Sequence, residues 1–375
     1  MHVTDAHVTN AEPDFVTTGP TTVAGRYLRR YWQPVLLSRE LRRGQVRPIR
    51  VMSSDFTVYR DEVGAAHVVA PRCPHRGTSL VTALVKGPDL VCHYHGWRFA
   101  PSGACLEQPA EPRPFCHKVQ LATYPTREIA GFIFGYFGEP PAPPLPEWPE
   151  VGDFPYRHRI ECNYFQSAEN VVDDVHVPFL HRDSVLSRST RMVIPQVSAY
   201  ETDFGLTVEL RQARSIEANH FIMPNLCYVI DRHRDGVTFH LMMAYVPIDD
   251  TSHNHFFSIT TQPRFVGKAM AHIANGLDAL KGDLDSWYGK HIRKVLDGVH
   301  PLRAAPHSPR IQDSVMVVGQ GAIADRKGEH LGQTDAAVIL LRKIWRRELA
   351  RFAAGQATPH YARPNKFPAR TVLMT

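Results

Sequence analysis

Six cysteines spread over 375 residues are too few and too irregular for a disulfide scaffold, so the thiols are expected to be reduced, some of them serving as ligands. No apolar run approaches the roughly 20 residues needed to cross a bilayer. The N-terminal MHVTDAHVTNAEPDF lacks the basic and apolar regions of a secretory signal, which predicts a cytoplasmic protein with no membrane partner. Nor is there a charge run: 43 Lys and Arg against 37 Asp and Glu give a formal +6, and five or six like charges never stand in a row. That excludes a nucleic-acid tail. Internal repeats are missing too. The Arg-rich pieces RYLRRYW, from Arg26, and RRGQVRPIR, from Arg42, read as solvated faces, with docking of an acidic electron donor or an anionic substrate as the alternative.

What is present is enough chain for two domains. AGRYLRRYWQ, residues 24–33, predicts a short amphipathic helix. The runs RPIRVMSSDFTVYRD, AAHVVAPR, LVCHYHGWRF and GFIFGYFG are rich in Val, Ile, Phe and Tyr and are punctuated by Gly, Pro and Asp, which predicts small antiparallel sheets. PPAPPLPEWPE, from Pro140 to Glu150, can join neither a helix nor a central strand and reads as an extended boundary. Beyond it TDFGLTVELRQ and VTFHLMMAYVPI predict long strands, mixed with helical segments. A last helix starts near Thr334 or Asp335, with Val338, Leu341, Ile344, Trp345, Leu349 and Phe352 as a core stripe at helical spacing. The fold class expected is α+β, with domains at 26–139 and 153–375 joined by a linker at 140–152.

Two short arms carry mixed ligands: CPHRG supplies Cys73 and His75, and CHYHGW supplies Cys92 and His95. Zinc fingers usually place two Cys on one arm and two His on the other. One thiolate and one imidazole per arm suit a [2Fe-2S] cluster of Rieske type, with two Cys on one iron and two His on the other. Gly77 and Gly96, close behind each His, would let backbone amides approach the sulfides. Zinc and an unmetallated core cluster are the bland alternatives. Such a centre has a potential of about −150 to +300 mV, passes single electrons and makes no bonds, so the other two thirds of the chain need another purpose.

ENVVDDVHVPFLH, Glu169 to His181, offers one. Asp173 and His176 are three apart, on one face if the segment is a helix, while Asp174 points away. His181 is poorly spaced for that face, but Pro178 would break the ladder and let it turn back. Two His and a carboxylate from elsewhere form the facial triad of non-haem Fe(II) sites. With 21 histidines in the chain, any one of them is more often a packed residue than a ligand; an electron supplier and an oxygen-activating iron in one polypeptide nevertheless explain each other.

With CPHRG, CHYHGW and the N-x-x-D-x-x-H-x4-H arrangement of Asn170, Asp173, His176 and His181, the chain resembles the catalytic α subunit of Rieske non-haem iron oxygenases over nearly its whole length. AGRYLRRYWQPV, LEQPAEP and QDSVMVVGQGAIADRKGEHLGQTDAAV resemble the phthalate dioxygenase branch in particular. The resemblance implies Asp313 as third iron ligand, with Gln312 where Glu is commoner; neighbouring Asp325, Glu329 and Asp335 read as caps and surface charges, with one of them as the alternative ligand. It further implies a helix-grip catalytic domain and a homotrimer, or two such trimers stacked as a hexamer, in which Asp173 bridges His95 of the partner subunit to His176, with Asn170 near that path. The activity implied is that of a terminal oxygenase using O2 and an external reductase or ferredoxin on a small aromatic substrate, an aromatic acid above all. Hydroxylation, dihydroxylation and oxidative O- or N-demethylation are not separable at this level.

VMVVGQGAIA, from Val315, imitates a strand followed by the dinucleotide fingerprint, but a charged, Gly-containing stretch follows where a helix should open, so no nicotinamide or flavin site is expected. Arg188, Arg191, Arg232 and Arg234 are candidates to receive a carboxylate, each more simply a surface residue. Phe239, Met242 and Met243 read as core before pocket. A rival of another class is a Rieske electron carrier with a ligand-binding domain, which would have no use for His176, His181 and Asp313 together.

Overall fold

The computed structural model describes residues 14–146, 152, 154–182, 195–212, 215–232, 238–263, 283–304, 309–357, 359, 361 and 364. Arg188, Arg191 and Arg234 lie outside these residues, as does the side chain of Arg232. Helix α1 spans Val23–Leu28 and is capped by Thr22, whose hydroxyl accepts the Gly25 N–H at 3.1 Å. It is shorter than the sequence predicts. Arg29 turns back to donate to the carbonyls of Gly25, Thr18 and Met52, and Gln33, expected inside the helix, instead opens strand β1 (Gln33–Leu37), every residue of which is buried.

The N-terminal half is built of short strands: β2 (Val46–Val51), β3 (Ser54–Arg60), β4 (Ala66–Val69), β5 (Leu84–Lys86), β6 (Asp89–Val91), β7 (Arg98–Phe99), β8 (Cys105–Glu107), β9 (Thr123–Tyr124), β10 (Thr126–Ile129) and β11 (Phe132–Gly135). They pair as three antiparallel sheets, β1-β11-β10, β2-β3-β4-β9 and β5-β6-β7-β8. LVCHYHGWRF does not run as one strand: β6 and β7 take its two ends, and Cys92 to Trp97 form the loop between them. The described part of the Pro-rich boundary, residues 140–146, holds neither helix nor strand and is pinned by the Trp32 indole N–H, which donates to the Pro143 carbonyl at 2.7 Å.

In the C-terminal half, strands β12 (Phe154–Ile160), β13 (Gln196–Thr202), β14 (Gly205–Gln212), β15 (Ser215–Ile222), β16 (Leu226–Arg232), β17 (Thr238–Asp249) and β18 (Ser252–Gln262) form one antiparallel sheet in the order β12-β18-β17-β16-β15-β14-β13. The first strand and the second therefore occupy opposite edges. The chain between them must cross a face, and it carries helix α2 (Tyr164–Val172) and the short α3 (Val177–Leu180). Further along come α4 (Leu284–Leu296), α5 (Pro309–Gly319) and α6 (Ala336–Ala353). The stripe of α6 is buried at Val338, Leu341, Ile344, Trp345 and Leu349 as its spacing requires. Val315 to Val318 lie within α5, so the apparent strand before the glycine pair is a helix and the dinucleotide reading fails at its first element. The architecture is α+β.

Alternate residues of a strand face opposite sides, so the register assigns each layer. Phe256 turns to the N-terminal half, where it meets Phe132 at 6.1 Å between ring centroids. His255 and Phe257 turn to the other side, under α4 and α5. The halves are joined by backbone bonds from Met52 and Ser53 to the Pro247 and Ile248 carbonyls, 2.8 and 2.9 Å, and by Arg157, which reaches Glu40 at 2.9 Å. Glu169, at 10% side-chain exposure, locks α2 in place by accepting from Arg326 at 2.7 Å and Arg342 at 2.6 Å.

Candidate metal centres

The two Cys-His arms are copies of one turn. In the first, the Cys73 N–H donates to the Thr78 carbonyl and Gly77 N–H returns to the Cys73 carbonyl, both at 2.9 Å; in the second, Cys92 bonds Trp97 at 2.8 Å and Gly96 bonds Cys92 at 2.9 Å. Each turn needs a left-handed residue at its fifth position, and Gly77 and Gly96 supply φ of 72° and 75°. A Cβ on Gly96 would also lie 2.9 Å from the Pro109 ring, so LEQPAEP packs directly on the second arm. Cys73 and Cys92 are buried at 2% exposure, side by side. His75 and His95 stand 4.6 Å apart nearer the surface, His75 stacked on Trp97 at 4.2 Å.

That donor set fits an iron-sulfur cluster. Burial pushes the Cys73 thiol up to about 11 even though the His75 and Arg76 amides donate to its sulfur, so a thiolate there requires cationic charge beside it. The sulfurs would face the protein and the imidazoles the surface.

The second centre lies where α2, α3 and α5 meet. Asp173 does not continue a helix: it is the C-cap of α2, its backbone at φ −91° and ψ 78°, and a tight turn from Asp174 to His176 follows before α3. The same-face spacing expected for Asp173 and His176 is thus realised by a turn. The break falls at Asp173, ahead of Pro178, which sits harmlessly in the first turn of α3, and His181 caps the end of that helix. On α5, Asp313 points at both imidazoles. Its Oδ1 is 3.3 Å from Nε2 of His176 and 3.1 Å from Nε2 of His181, and the three donor atoms lie within 4.8 Å of one another.

The far sides of the rings fix their chemistry. His176 Nδ1 meets the backbone carbonyl of Asp173, and His181 Nδ1 meets Oε1 of Gln312 at 2.8 Å. Those oxygens can only accept, so each Nδ1 carries the proton and each Nε2 turns a lone pair inward. Asp313 Oδ1 is buried without a well-formed hydrogen bond. Two lone pairs and a carboxylate oxygen repel unless a cation stands among them, which is what a two-His, one-carboxylate metal site provides. Burial alone would depress His176, but Asp313 overrides it and lifts the imidazole to about 8. Burial would likewise raise Asp313, yet the two imidazoles pull it down to about 2.

Asn170 is half-buried on α2, and its backbone carbonyl accepts the Asp173 N–H at 3.2 Å. The Asp173 carboxylate accepts from the Val175 N–H at 3.3 Å; the partner of His176 is the Asp173 carbonyl, not this carboxylate. Asp174 is buried and takes a hydrogen bond from Asn219. Asp325 caps the turn at Lys327, Glu329 pairs with Arg342 and Asp335 precedes α6, so none of the three approaches the triad. Met242 is core at 1% exposure, Met243 is partly buried. Sequence reasoning noted Gln312 only as a departure from a commoner Glu and passed over Arg310 and the buried histidines His158, His253 and His255, although His253 and His255 alternate within one strand and so share a face.

Residues 31–125 match the Rieske [2Fe-2S] domain family. Among curated proteins, the oxygenase subunit of 5,5'-dehydrodivanillate O-demethylase from Sphingobium sp. is 29% identical over 361 residues, 90% of this chain and 79% of that one. The phenoxybenzoate dioxygenase α subunit of Ectopseudomonas oleovorans is 28% identical over 87% of this chain and 90% of its own length, and the phthalate 4,5-dioxygenase oxygenase subunit of Pseudomonas putida 26% over 89% and 84%. Dicamba monooxygenase bound to dicamba has the same fold, with a TM-score of 0.60 at 18% identity over 88% of this chain and 99% of that one. So does the oxygenase of carbazole 1,9a-dioxygenase in its reduced complex with ferredoxin, at a TM-score of 0.61 and 19% identity over 88% and 93%. Among the described residues no helix is long and apolar enough to cross a membrane.

Proposed function

From the premise that this chain belongs to the Rieske non-haem iron oxygenases, we propose that it is the terminal oxygenase of a multicomponent system, oxidising an aromatic acid with O2 and electrons from a separate reductase or ferredoxin. Cys73, His75, Cys92 and His95 would hold the cluster, and His176, His181 and Asp313 the mononuclear Fe(II). When bound, the first group supplies single electrons and the second activates oxygen. The observation that carries the reading is the inward turn of both Nε2 lone pairs onto Asp313, with each Nδ1 occupied elsewhere.

The chain's own residues then have distinct tasks. Gln312 and the Asp173 carbonyl hold the two imidazoles in the tautomer a metal requires. The Asp173 carboxylate, which the His176 ring does not engage and which accepts only the Val175 N–H among the described residues, would reach across a homotrimer interface to His95 of the partner subunit, with Asn170 one turn away on α2. A carboxylate between two ligand-bearing arms fixes both and offers electrons a short polar route. Burial raises the Asp173 carboxyl from its ordinary range, against the pull of His176, so an imidazole N–H from a partner would stabilise its charged form.

Iron analysis tests the assignment. Fully loaded protein should hold three irons per chain, and His176→Ala should hold two with an unchanged Rieske absorption. Two irons in the unaltered protein, with no reductase-driven oxygen uptake on aromatic acids, would make it an electron carrier with a ligand-binding domain instead. Because one relative is named an O-demethylase, release of formaldehyde from methoxylated acids separates demethylation from ring hydroxylation.

A further inference from the structure

We infer that Arg310 and His255 form a carboxylate-binding subsite beside the metal triad, which holds the acidic group of the substrate at the end remote from the position oxidised. The inference rests on the reading of the site as an aromatic oxygenase and adds to it the residues that select an anion. Arg310 lies three residues before Asp313 on α5, so the two side chains leave the same face of the helix with Cβ atoms about 5–6 Å apart. Asp313 turns to the imidazoles. Arg310 turns to the sheet, its guanidinium carbon 4.3 Å from the Tyr156 ring centroid and 5.5 Å from that of Phe257.

The two rings hold the fork without satisfying it. Nη1 of Arg310 is buried and has no hydrogen-bond acceptor, and among the described residues no carboxylate lies within ion-pair distance of the guanidinium. A buried guanidinium donor left unmet is costly, and this one is met by nothing among the described residues. His255 shows the same deficit. It is 8% exposed, it stands two residues before Phe257 on the same face of β18, and its Nε2 is buried without a partner. Arg310 and Asp313 both act on its imidazole, which burial, His253 and Arg310 push down to about 3. His255 is therefore neutral and can offer an N–H or a lone pair as the ligand requires. Its cross-strand neighbour His158, ring centroids 5.2 Å apart, is fully buried with Nδ1 unmet.

The chemistry of the missing partner follows from these donors. Arg310 can only donate, so the partner is an acceptor; its charge is unbalanced, so the partner is an anion; and its planar fork matches two oxygens on one carbon. A buried water could fill the hydrogen bonds but not the charge. With the carboxylate on Arg310, the rest of the molecule would lie toward the helix face that also carries Asp313.

The test is calorimetric binding to the iron-loaded protein of two matched pairs, benzoate with benzamide and 3-methoxybenzoate with 3-methoxybenzamide, each pair nearly isosteric and differing in charge. The unaltered protein should prefer the acid. Arg310→Gln should weaken acid binding by about 10- to 150-fold, the worth of a charge-assisted hydrogen bond, while amide binding moves by less than about 3-fold. Arg310→Lys keeps the charge without the fork and should fall between; His255→Asn should reduce the preference in the same sense. Rieske absorption and iron content report that each variant is folded, and if Arg310→Gln loses both, the Lys variant decides. Equal binding of acid and amide by the unaltered protein, or a preference that survives in Arg310→Gln or is untouched in Arg310→Lys, overturns the subsite and leaves the aromatic oxygenase reading standing. Binding of none of the four molecules overturns that reading together with the subsite.

Discussion

Replacing Gln312 by Leu should strip iron from the mononuclear site and leave the cluster in place. Gln312 is 2% exposed and its Oε1 accepts the His181 Nδ1–H at 2.8 Å, so Leu, of similar volume, removes an acceptor without opening the core. The metal-free variant has an escape: the proton moves to Nε2, where Asp313 Oδ1 waits at 3.1 Å. To bind iron, His181 must send that proton back to an Nδ1 with no acceptor. The cost of a buried, unmet N–H, about 1–3 kcal/mol, then falls on the metal-bound form alone. Converted at 1.4 kcal/mol per decade this is a loss of about 5- to 150-fold in affinity, in line with the 10–100-fold usual for partners of metal-bound imidazoles. Gln312→Glu keeps an acceptor, adds negative charge and should retain iron at least as well as the unaltered protein. The assay is Fe(II) release to a chelator of graded strength, with the Rieske absorption of the same sample as internal reference. Retention within about twofold in Gln312→Leu, or parallel loss of cluster and mononuclear iron, would refute the tautomer argument.

Asp173→Asn should keep both metals and lower turnover by about 10- to 100-fold, since the amide still accepts from Val175 but no longer offers charge to a second imidazole; iron content together with oxygen uptake checks it, and near-normal uptake would contradict the bridge between subunits. At the junction of the two halves, burial would raise the Glu40 carboxyl, but Arg157 and the Leu37 amide outweigh burial and hold it below its ordinary value. A group whose folded value is depressed contributes stability above its unfolded value, near 4.5, and that contribution is lost as pH falls through the folded one. Thermal unfolding followed from about pH 6 into the acid range should therefore show a decline that Glu40→Gln flattens; an unchanged acid decline in the variant would assign it to other carboxylates.

Cys73, His75, Cys92 and His95 were legible because each arm is a contiguous turn: the thiol, the imidazole and the glycine that permits the backbone all stand within five residues, so the local sequence contains the local structure. The His176 and His181 segment was only half legible. Its residues were visible, but the helical spacing that paired Asp173 with His176 was wrong, because the turn at Asp173 leaves the helix so that the backbone carbonyl, not the carboxylate, meets the ring. Gln312 looked like a small departure from a common pattern. Its role exists only because α5 brings it to His181, 131 residues away in the chain. Arg310, His158 and His255 escaped for the same reason, since nothing local says that β12 will pair with β18 and set His158 beside His255 under the helix that carries Arg310. The distinction is physical. A motif names the atoms that can bind a metal or a substrate, whereas the proton on each ring and the charge left uncovered beside it are decided by acceptors that folding delivers from elsewhere, and those two quantities determine what the site will hold.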